Sequence, residues 1–137
     1  MMKKKKLEKK VYITPVTKCY SDKDGIGRVI FLPNTKVTLN AAKKHIAACE
    51  KLANGKKAPV LIDIRNIKSV DHEARKYFAG EKASKITKAS AVLVSSPISR
   101  ILGDFFIVLN KPPFPIKLFT SKSKAMKWLR GFLKCQK

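Results

Sequence analysis

Two short apolar runs constrain the fold of this chain more than any other feature. Residues 59–64 read PVLIDI and residues 89–95 read ASAVLVS, and polar or turn-forming segments bound both. Runs of this length that are apolar on both faces are typical of strands buried inside a parallel sheet. Because parallel strands need long crossover connections, usually helices, the chain is predicted to be an α/β protein.

The segment of residues 38–55, which precedes the first buried run, has the periodicity of a crossover helix. Thr38 is a suitable N-cap and Gly55 a suitable helix stop. The apolar residues between them are three or four positions apart, so they share one helix face. They are Leu39, Ala42, Ile46, Cys49 and Ala53.

The second half of the chain is predicted to contain three more helices and a last strand. The helices are expected over residues 71–86, 97–109 and 121–133, with a break near Gly80. Ser121 or Ser123 would cap the last helix, which is basic and amphipathic. Its apolar face is expected to cover the sheet, and residues 116–119 form the strand that precedes it.

The N-terminal part reads as a hairpin behind a charged tail. Residues 9–19 and 27–32 are β-rich and bracket the turn sequence SDKDG, although Pro15 places the first strand at an edge or a bulge. The predicted fold is therefore a mixed, mostly parallel sheet with an N-terminal β-hairpin and about four helices. Residues 1–10 would be a flexible lysine-rich tail, and residues 11–137 a single domain.

The charge of the chain is strongly positive. It has 31 Lys and Arg against 9 Asp and Glu, a formal net charge of +22. Such an excess favours weak, non-specific attraction to polyanions. It is equally consistent with a lysine-rich protein whose charges are simply exposed to solvent. One alternative function is therefore an electrostatic nucleic-acid binder, whose affinity would fall steeply with salt.

Cysteine and histidine usage excludes the common metal and disulfide frameworks. Cys19, Cys49 and Cys135 are far apart and form no CxxC pair. His45 and Cys49 are four residues apart and share a helix face, but two ligands do not make a zinc site, so they are predicted to be a packed Cys beside a boundary His. We expect no metal and no cofactor, and the unpaired thiols and the lack of a membrane-spanning run indicate a cytoplasmic protein.

No catalytic motif appears in the sequence. GxxxxGK[ST], GxGxxG and GxSxG are absent, and His72 lies between Asp71 and Glu73, where helix neighbours do not face each other. The chain is therefore predicted not to be an enzyme. Ser96, Ser99 and Arg100 follow a buried strand and start a helix, so they are an alternative anion-binding site.

Several stretches resemble the STAS domain of anti-anti-sigma factors and sulfate transporters. The segment VLIDIRNIKSVDHEARKYFA is similar to the strand-loop-helix signature of that family, and SSPISRILGDFF, NKPPFPIKLFTS and AMKWL resemble a group of small uncharacterised bacterial STAS-like proteins. The resemblance covers roughly residues 38–133. It implies a STAS-like α/β sandwich and a regulatory protein-protein interaction module.

The resemblance also implies a surface for the partner. When Asp63 and Asp71 are aligned with the two aspartates of the family, Glu73 stands where the phosphoacceptor serine is expected, so that switch is absent or permanently set. The predicted partner-binding residues, for an unidentified regulatory protein, are Asn66, Ser69, Asp71, His72 and Glu73.

Two further alternatives follow from the same fold. STAS-like folds can hold apolar ligands, and a carrier of a small apolar ligand or lipid would use a pocket lined by Phe105, Phe106, Phe114 and Trp128. Such a carrier would contain an apolar cavity of roughly 300 Å³ or more, whereas an interaction module would need only an exposed patch. A homodimer through the edge strand of the hairpin is a separate expectation.

Overall fold

A six-stranded sheet forms the centre of the chain in the computed structural model, which describes residues 10–95 and 113–133. The sheet has the strand order β1-β2-β3-β5-β7-β8, and β4 and β6 form a separate two-stranded parallel sheet. In chain order the elements are β1 (Tyr12–Ile13), β2 (Thr17–Ser21), β3 (Gly27–Phe31), β4 (Lys36–Val37), α1 (Leu39–Ala53), β5 (Ala58–Asp63), β6 (Ser69–Val70), α2 (His72–Phe78), α3 (Glu81–Ser84), β7 (Thr87–Leu93), β8 (Ile116–Phe119) and α4 (Lys122–Arg130).

The two apolar runs are the central strands, as predicted. β5 pairs in parallel with β3 on one side and with β7 on the other, and β7 pairs in parallel with β8. Leu61 lies opposite Arg28 of β3 and Ala91 of β7. The prediction of a mixed, mostly parallel sheet is confirmed.

The N-terminal hairpin is also confirmed, with one correction. β2 and β3 pair antiparallel around a turn in which the carboxylate of Asp22 accepts hydrogen bonds from the backbone N–H groups of Asp24 and Ile26. Gly25 completes the turn with a φ of 89°, which favours glycine. The single strand predicted over residues 9–19 is wrong: Pro15 separates the short outer strand β1 from β2, because proline interrupts a strand ladder.

Side-chain caps fix the starts of the two longest described helices. The hydroxyl of Thr38 accepts a hydrogen bond from the N–H of Ala41 at 3.2 Å, and that of Ser121 accepts one from Lys124 at 3.3 Å. α1 ends at Ala53, just before the predicted stop, because Asn54 (φ 51°) and Gly55 (φ 83°) both have a positive φ. The region 71–86 is two helices, α2 and α3, on either side of the predicted break at Gly80.

Helices cover the two faces of the sheet separately. Alternate residues of β5 point to opposite faces: Val60 and Ile62 join the cluster beneath α1 and α2, whereas Leu61 joins the cluster beneath α4. Within residues 10–95 and 113–133, no helix has the length and apolar character needed to cross a membrane. The predicted helix 97–109 and the lysine-rich segment up to residue 9 lie outside the described residues.

Candidate functional site

A cavity of about 360 Å³ lies between α1 and the sheet. Its walls are mostly apolar, since β3, β5 and β7 contribute aliphatic side chains from one side and α1 from the other. Its volume falls within the range typical of small-molecule sites. Representative lining residues are Val29, Ile46, Leu52, Val60, Ile62 and Val92.

Cationic side chains border this apolar cavity. Among the described residues that line it, none is acidic and five are basic. The Nε atom of Arg75 is buried and has no hydrogen-bond partner among the described residues. A buried guanidinium nitrogen without an acceptor is unusual in a folded protein, and an anionic group of a ligand would satisfy it. The five are Arg28, Lys56, Lys57, Lys68 and Arg75.

A cluster of sulfur and nitrogen atoms lies beside the cavity, which two of its three residues also line. The thiols of Cys19 and Cys49 and the imidazole of His45 each offer one ligand atom, and these atoms all lie within 4.8 Å of one another. Sγ of Cys49 is 3.3 Å from Nε2 of His45, and Oγ1 of Thr17 is 2.8 Å from Nδ1. His45 is only 4% exposed, so its prediction as a boundary residue is wrong.

The protein interior determines the protonation of this cluster. Burial lowers the pKa of His45 from 6.5 to about 4, so the imidazole is neutral near pH 7. The hydrogen bond with Cys19, together with burial, raises the pKa of the Cys49 thiol. The same hydrogen bond lowers the pKa of the Cys19 thiol, against the effect of burial, so Cys19 loses its proton more readily than Cys49 does.

The sequence analysis missed Cys19 and Thr17 as neighbours of His45. Thr17 and Cys19 are buried alternate residues of β2, which places them on one face of the strand. The spacing of His45 and Cys49 correctly placed the two cluster residues of α1 on one helix face. To find Cys19 and Thr17 as well, one would need to know which strand α1 packs against. The spacing of apolar residues in the sequence does not contain that information.

The five predicted partner-binding residues lie in one surface segment, residues 66–73, which follows β5 and runs through β6 into the first turn of α2. Asn66, Asp71, His72 and Glu73 are exposed, and Ser69 is half-buried in β6, where it also lines the cavity. The backbone carbonyl of Asn66 accepts a hydrogen bond from Asn34 at 2.8 Å.

The surface includes the N-terminus of α2. Asp71 is the N-cap residue of that helix but makes no side-chain cap hydrogen bond, and Glu73 lies in the first turn. Both carboxylates are therefore directed to solvent near the positive end of a short helix.

An ion pair precedes this surface. Arg65 binds the carboxylate of Asp63 through Nη2 at 2.8 Å and through Nε at 3.0 Å. Burial opposes ionisation of Asp63, but the hydrogen bonds from Arg65 outweigh it and hold the pKa of that carboxyl below its usual value. Asp63 is thus paired and charged.

The remaining predicted site residues are not brought together. Phe114 lines the cavity with Ile46 and Ala83, whereas Trp128 packs against Phe119 in the cluster beneath α4. The other members of the predicted apolar and anion-binding sites lie outside the described residues; they are Ser96, Ser99, Arg100, Phe105 and Phe106.

Comparison with solved structures shows the fold. An uncharacterised protein of the DUF3478 family with a SpoIIAA-like fold, from Shewanella loihica PV-4, is 19% identical, with a TM-score of 0.52 over 89% of this chain and 92% of the other. An anti-sigma factor antagonist from Mycobacterium paratuberculosis is 17% identical, with a TM-score of 0.58 over 90% and 93%. The expected STAS-like fold is confirmed.

Comparison with protein families gives the assignment. None of the curated proteins compared with this chain matches it. A family model described as a domain of unknown function, DUF7793, matches residues 20–133. That range includes α1, the cavity walls and the surface at residues 66–73. The chain therefore belongs to the DUF7793 family, and its fold is STAS-like.

Proposed function

We propose that this STAS-like domain is a non-catalytic binding protein that holds a small amphipathic anion, such as a fatty acid, in the cavity beside α1. The observation that carries this proposal is the apolar cavity of about 360 Å³. This volume exceeds the roughly 300 Å³ expected of a carrier of a small apolar ligand, whereas an interaction module would need no cavity. The unpaired Nε of Arg75 supports an anionic end of the ligand.

The physical case for such a ligand combines area and charge. Its hydrocarbon part would cover the aliphatic walls, and each buried methylene group contributes about 0.8 kcal/mol. Its carboxylate would accept a charge-assisted hydrogen bond from Arg75, worth about 1.5–3 kcal/mol. Dodecanoate should therefore bind more tightly than dodecanol, which has the same chain without the charge.

Isothermal titration calorimetry with dodecanoate and dodecanol tests the site. Arg75→Met should weaken dodecanoate binding by about 10–150-fold, which corresponds to about 1.5–3 kcal/mol, and leave dodecanol binding unchanged. Val60→Phe, which fills the cavity, should weaken both. Val11→Phe is the matched control, because Val11 is 43% exposed and does not line the cavity.

A second pair of variants on α1 keeps the test valid if Val60→Phe does not fold. Ala53 lines the cavity and Ala47 is exposed on the same helix. Ala53→Phe should reduce dodecanoate binding, and Ala47→Phe should not. Unchanged affinity in folded Val60→Phe and Ala53→Phe would refute binding in this cavity.

A second candidate function is a regulatory interaction module at the surface formed by residues 66–73. Two observations favour it: four of the five predicted residues are exposed, and one structural neighbour is described as an anti-sigma factor antagonist. If a partner protein is isolated, Glu73→Lys should weaken the complex. Glu81→Lys is the control, since it makes the same charge change at an exposed first-turn position of α3.

The wider cellular predictions remain proposals. Cys19 and Cys49 are free thiols, which supports a reducing, cytoplasmic location. The homodimer and the electrostatic binding of nucleic acid also stay predictions. A salt titration of duplex DNA binding would test the latter, because the logarithm of affinity should fall with a slope of about −0.9 per neutralised phosphate.

A further inference from the structure

The cluster of Cys19, His45 and Cys49 has the composition of a transition-metal site. Its two sulfurs and one imidazole nitrogen come from the facing elements β2 and α1, and all three ligand atoms lie within 4.8 Å of one another. Zn–S bonds of about 2.3 Å and Zn–N bonds of about 2.0–2.1 Å imply S–N separations of about 3.6 Å in a tetrahedral site. The observed 3.3 Å between Sγ of Cys49 and Nε2 of His45 is close to that value.

The surroundings of His45 fit metal ligation. Metal-binding histidines usually donate their second ring N–H to a fixed acceptor. Oγ1 of Thr17 lies 2.8 Å from Nδ1 and 2.7 Å from the hydroxyl of Thr14. Thr17 can therefore accept the Nδ1 proton, which leaves the lone pair of Nε2 on the side of Cys49.

We propose that Cys19, His45 and Cys49 bind one Zn²⁺ ion, with the fourth coordination position open to the cavity that His45 and Cys49 also line. Binding would hold both thiols as thiolates and release the protons they still carry to solvent. This inference goes beyond the proposed function and stands whether or not an amphipathic anion occupies the cavity.

Charge and ligand type favour zinc over other cations. Two thiolates and a neutral imidazole carry a charge of −2, which Zn²⁺ neutralises, whereas a monovalent ion such as Cu⁺ would leave a buried negative charge. Mg²⁺ and Ca²⁺ require oxygen ligands, and the three ligand atoms here are sulfur and nitrogen. Soft and borderline cations are therefore the suitable class. Among them we propose zinc, whose charge of +2 leaves the occupied site with no net charge.

Cobalt titration of the reduced full-length chain tests the site directly. Co²⁺ is a spectroscopic substitute for Zn²⁺, and thiolate ligation gives a sulfur-to-metal charge-transfer band in the near ultraviolet. We expect that band to saturate at one Co²⁺ per chain and to disappear when Zn²⁺ is added. Native mass spectrometry of the zinc form should show one bound ion.

Variants assign the ligands. Cys19→Ala and Cys49→Ala should each lose the charge-transfer band, and Cys135→Ala, which removes the third thiol of the chain, should retain it. Thr17→Val keeps the side-chain shape and all three ligands, so it should bind about 10–100-fold more weakly through the lost orientation of His45. Circular dichroism verifies that each variant is folded.

Two outcomes would overturn the proposal. One is a folded, reduced wild-type chain that takes up neither Co²⁺ nor Zn²⁺, including the case in which Cys19 and Cys49 are found as a disulfide and bind no metal after reduction. The other is a charge-transfer band that persists in folded Cys49→Ala. Neither result would affect dodecanoate binding, so the failure of this proposal is distinguishable from that of the proposed function.

Discussion

Truncation of two neighbouring side chains of β5 tests the packing around the cavity beside α1. Leu61 is 4% exposed and packs in the cluster beneath α4. Ile62 points to the opposite face, is half-buried and lines the cavity. The two residues share a strand, so a comparison of their alanine variants isolates the environment of each side chain.

The expected costs differ because Leu61 is almost fully buried, whereas Ile62 is half-buried beside the larger cavity. Leu61→Ala removes three carbons of a side chain that is only 4% exposed, and it should lower the free energy of unfolding by about 2–5 kcal/mol. Ile62→Ala loses three carbons worth about 0.8 kcal/mol each when fully buried. Because Ile62 is half-buried beside an existing space, about 1 kcal/mol is expected.

Urea unfolding followed by far-ultraviolet circular dichroism measures both variants against the wild type. The slope of the unfolding free energy against urea should be unchanged, which verifies that the same surface is exposed. Equal destabilisation by Leu61→Ala and Ile62→Ala would refute the reasoning, because it would mean that Ile62 is as closely packed as Leu61.

Two further predictions concern stability. Ser121→Ala should destabilise the protein by about 1 kcal/mol because Ser121 caps α4, whereas Ser123→Ala should stay within about 0.5 kcal/mol; chemical denaturation distinguishes them, and equal effects would contradict the cap. Burial lowers the pKa of His45 from 6.5 to about 4. Between pH 6.5 and pH 4, the unfolded metal-free chain therefore binds more protons than the folded chain. Its free energy of unfolding should therefore fall by about 3 kcal/mol as the pH drops through that interval. His45→Phe should remove this contribution, and an identical pH profile in that variant would contradict the assignment.

The sequence predicted the sheet well because its signals are local. The apolar runs at residues 59–64 and 89–95 have the length and composition of buried parallel strands, and they form β5 and β7. The hydroxyl of Thr38 caps α1 as its position before an amphipathic segment indicated. The short pair of β4 and β6 was missed, since two-residue strands have no periodicity to detect.

The candidate site could be predicted only in part because it depends on contacts between distant segments. His45 and Cys49 are close in sequence, but Cys19 joins them only through the packing of α1 on β2. Likewise, Phe114 and Trp128 are both aromatic residues of the second half, yet the sheet separates them into different clusters. The cavity is a gap between α1 and three strands, which no single segment encodes.

The central claim, binding of an amphipathic anion beside α1, is tested most directly on protein purified from its own cells. Native mass spectrometry at moderate salt would detect the bound molecule, and extraction would identify it. The account predicts a small acidic molecule with an apolar body, replaced by dodecanoate in the wild type and absent from Val60→Phe. A chain that carries no such molecule and does not bind dodecanoate in solution would contradict it.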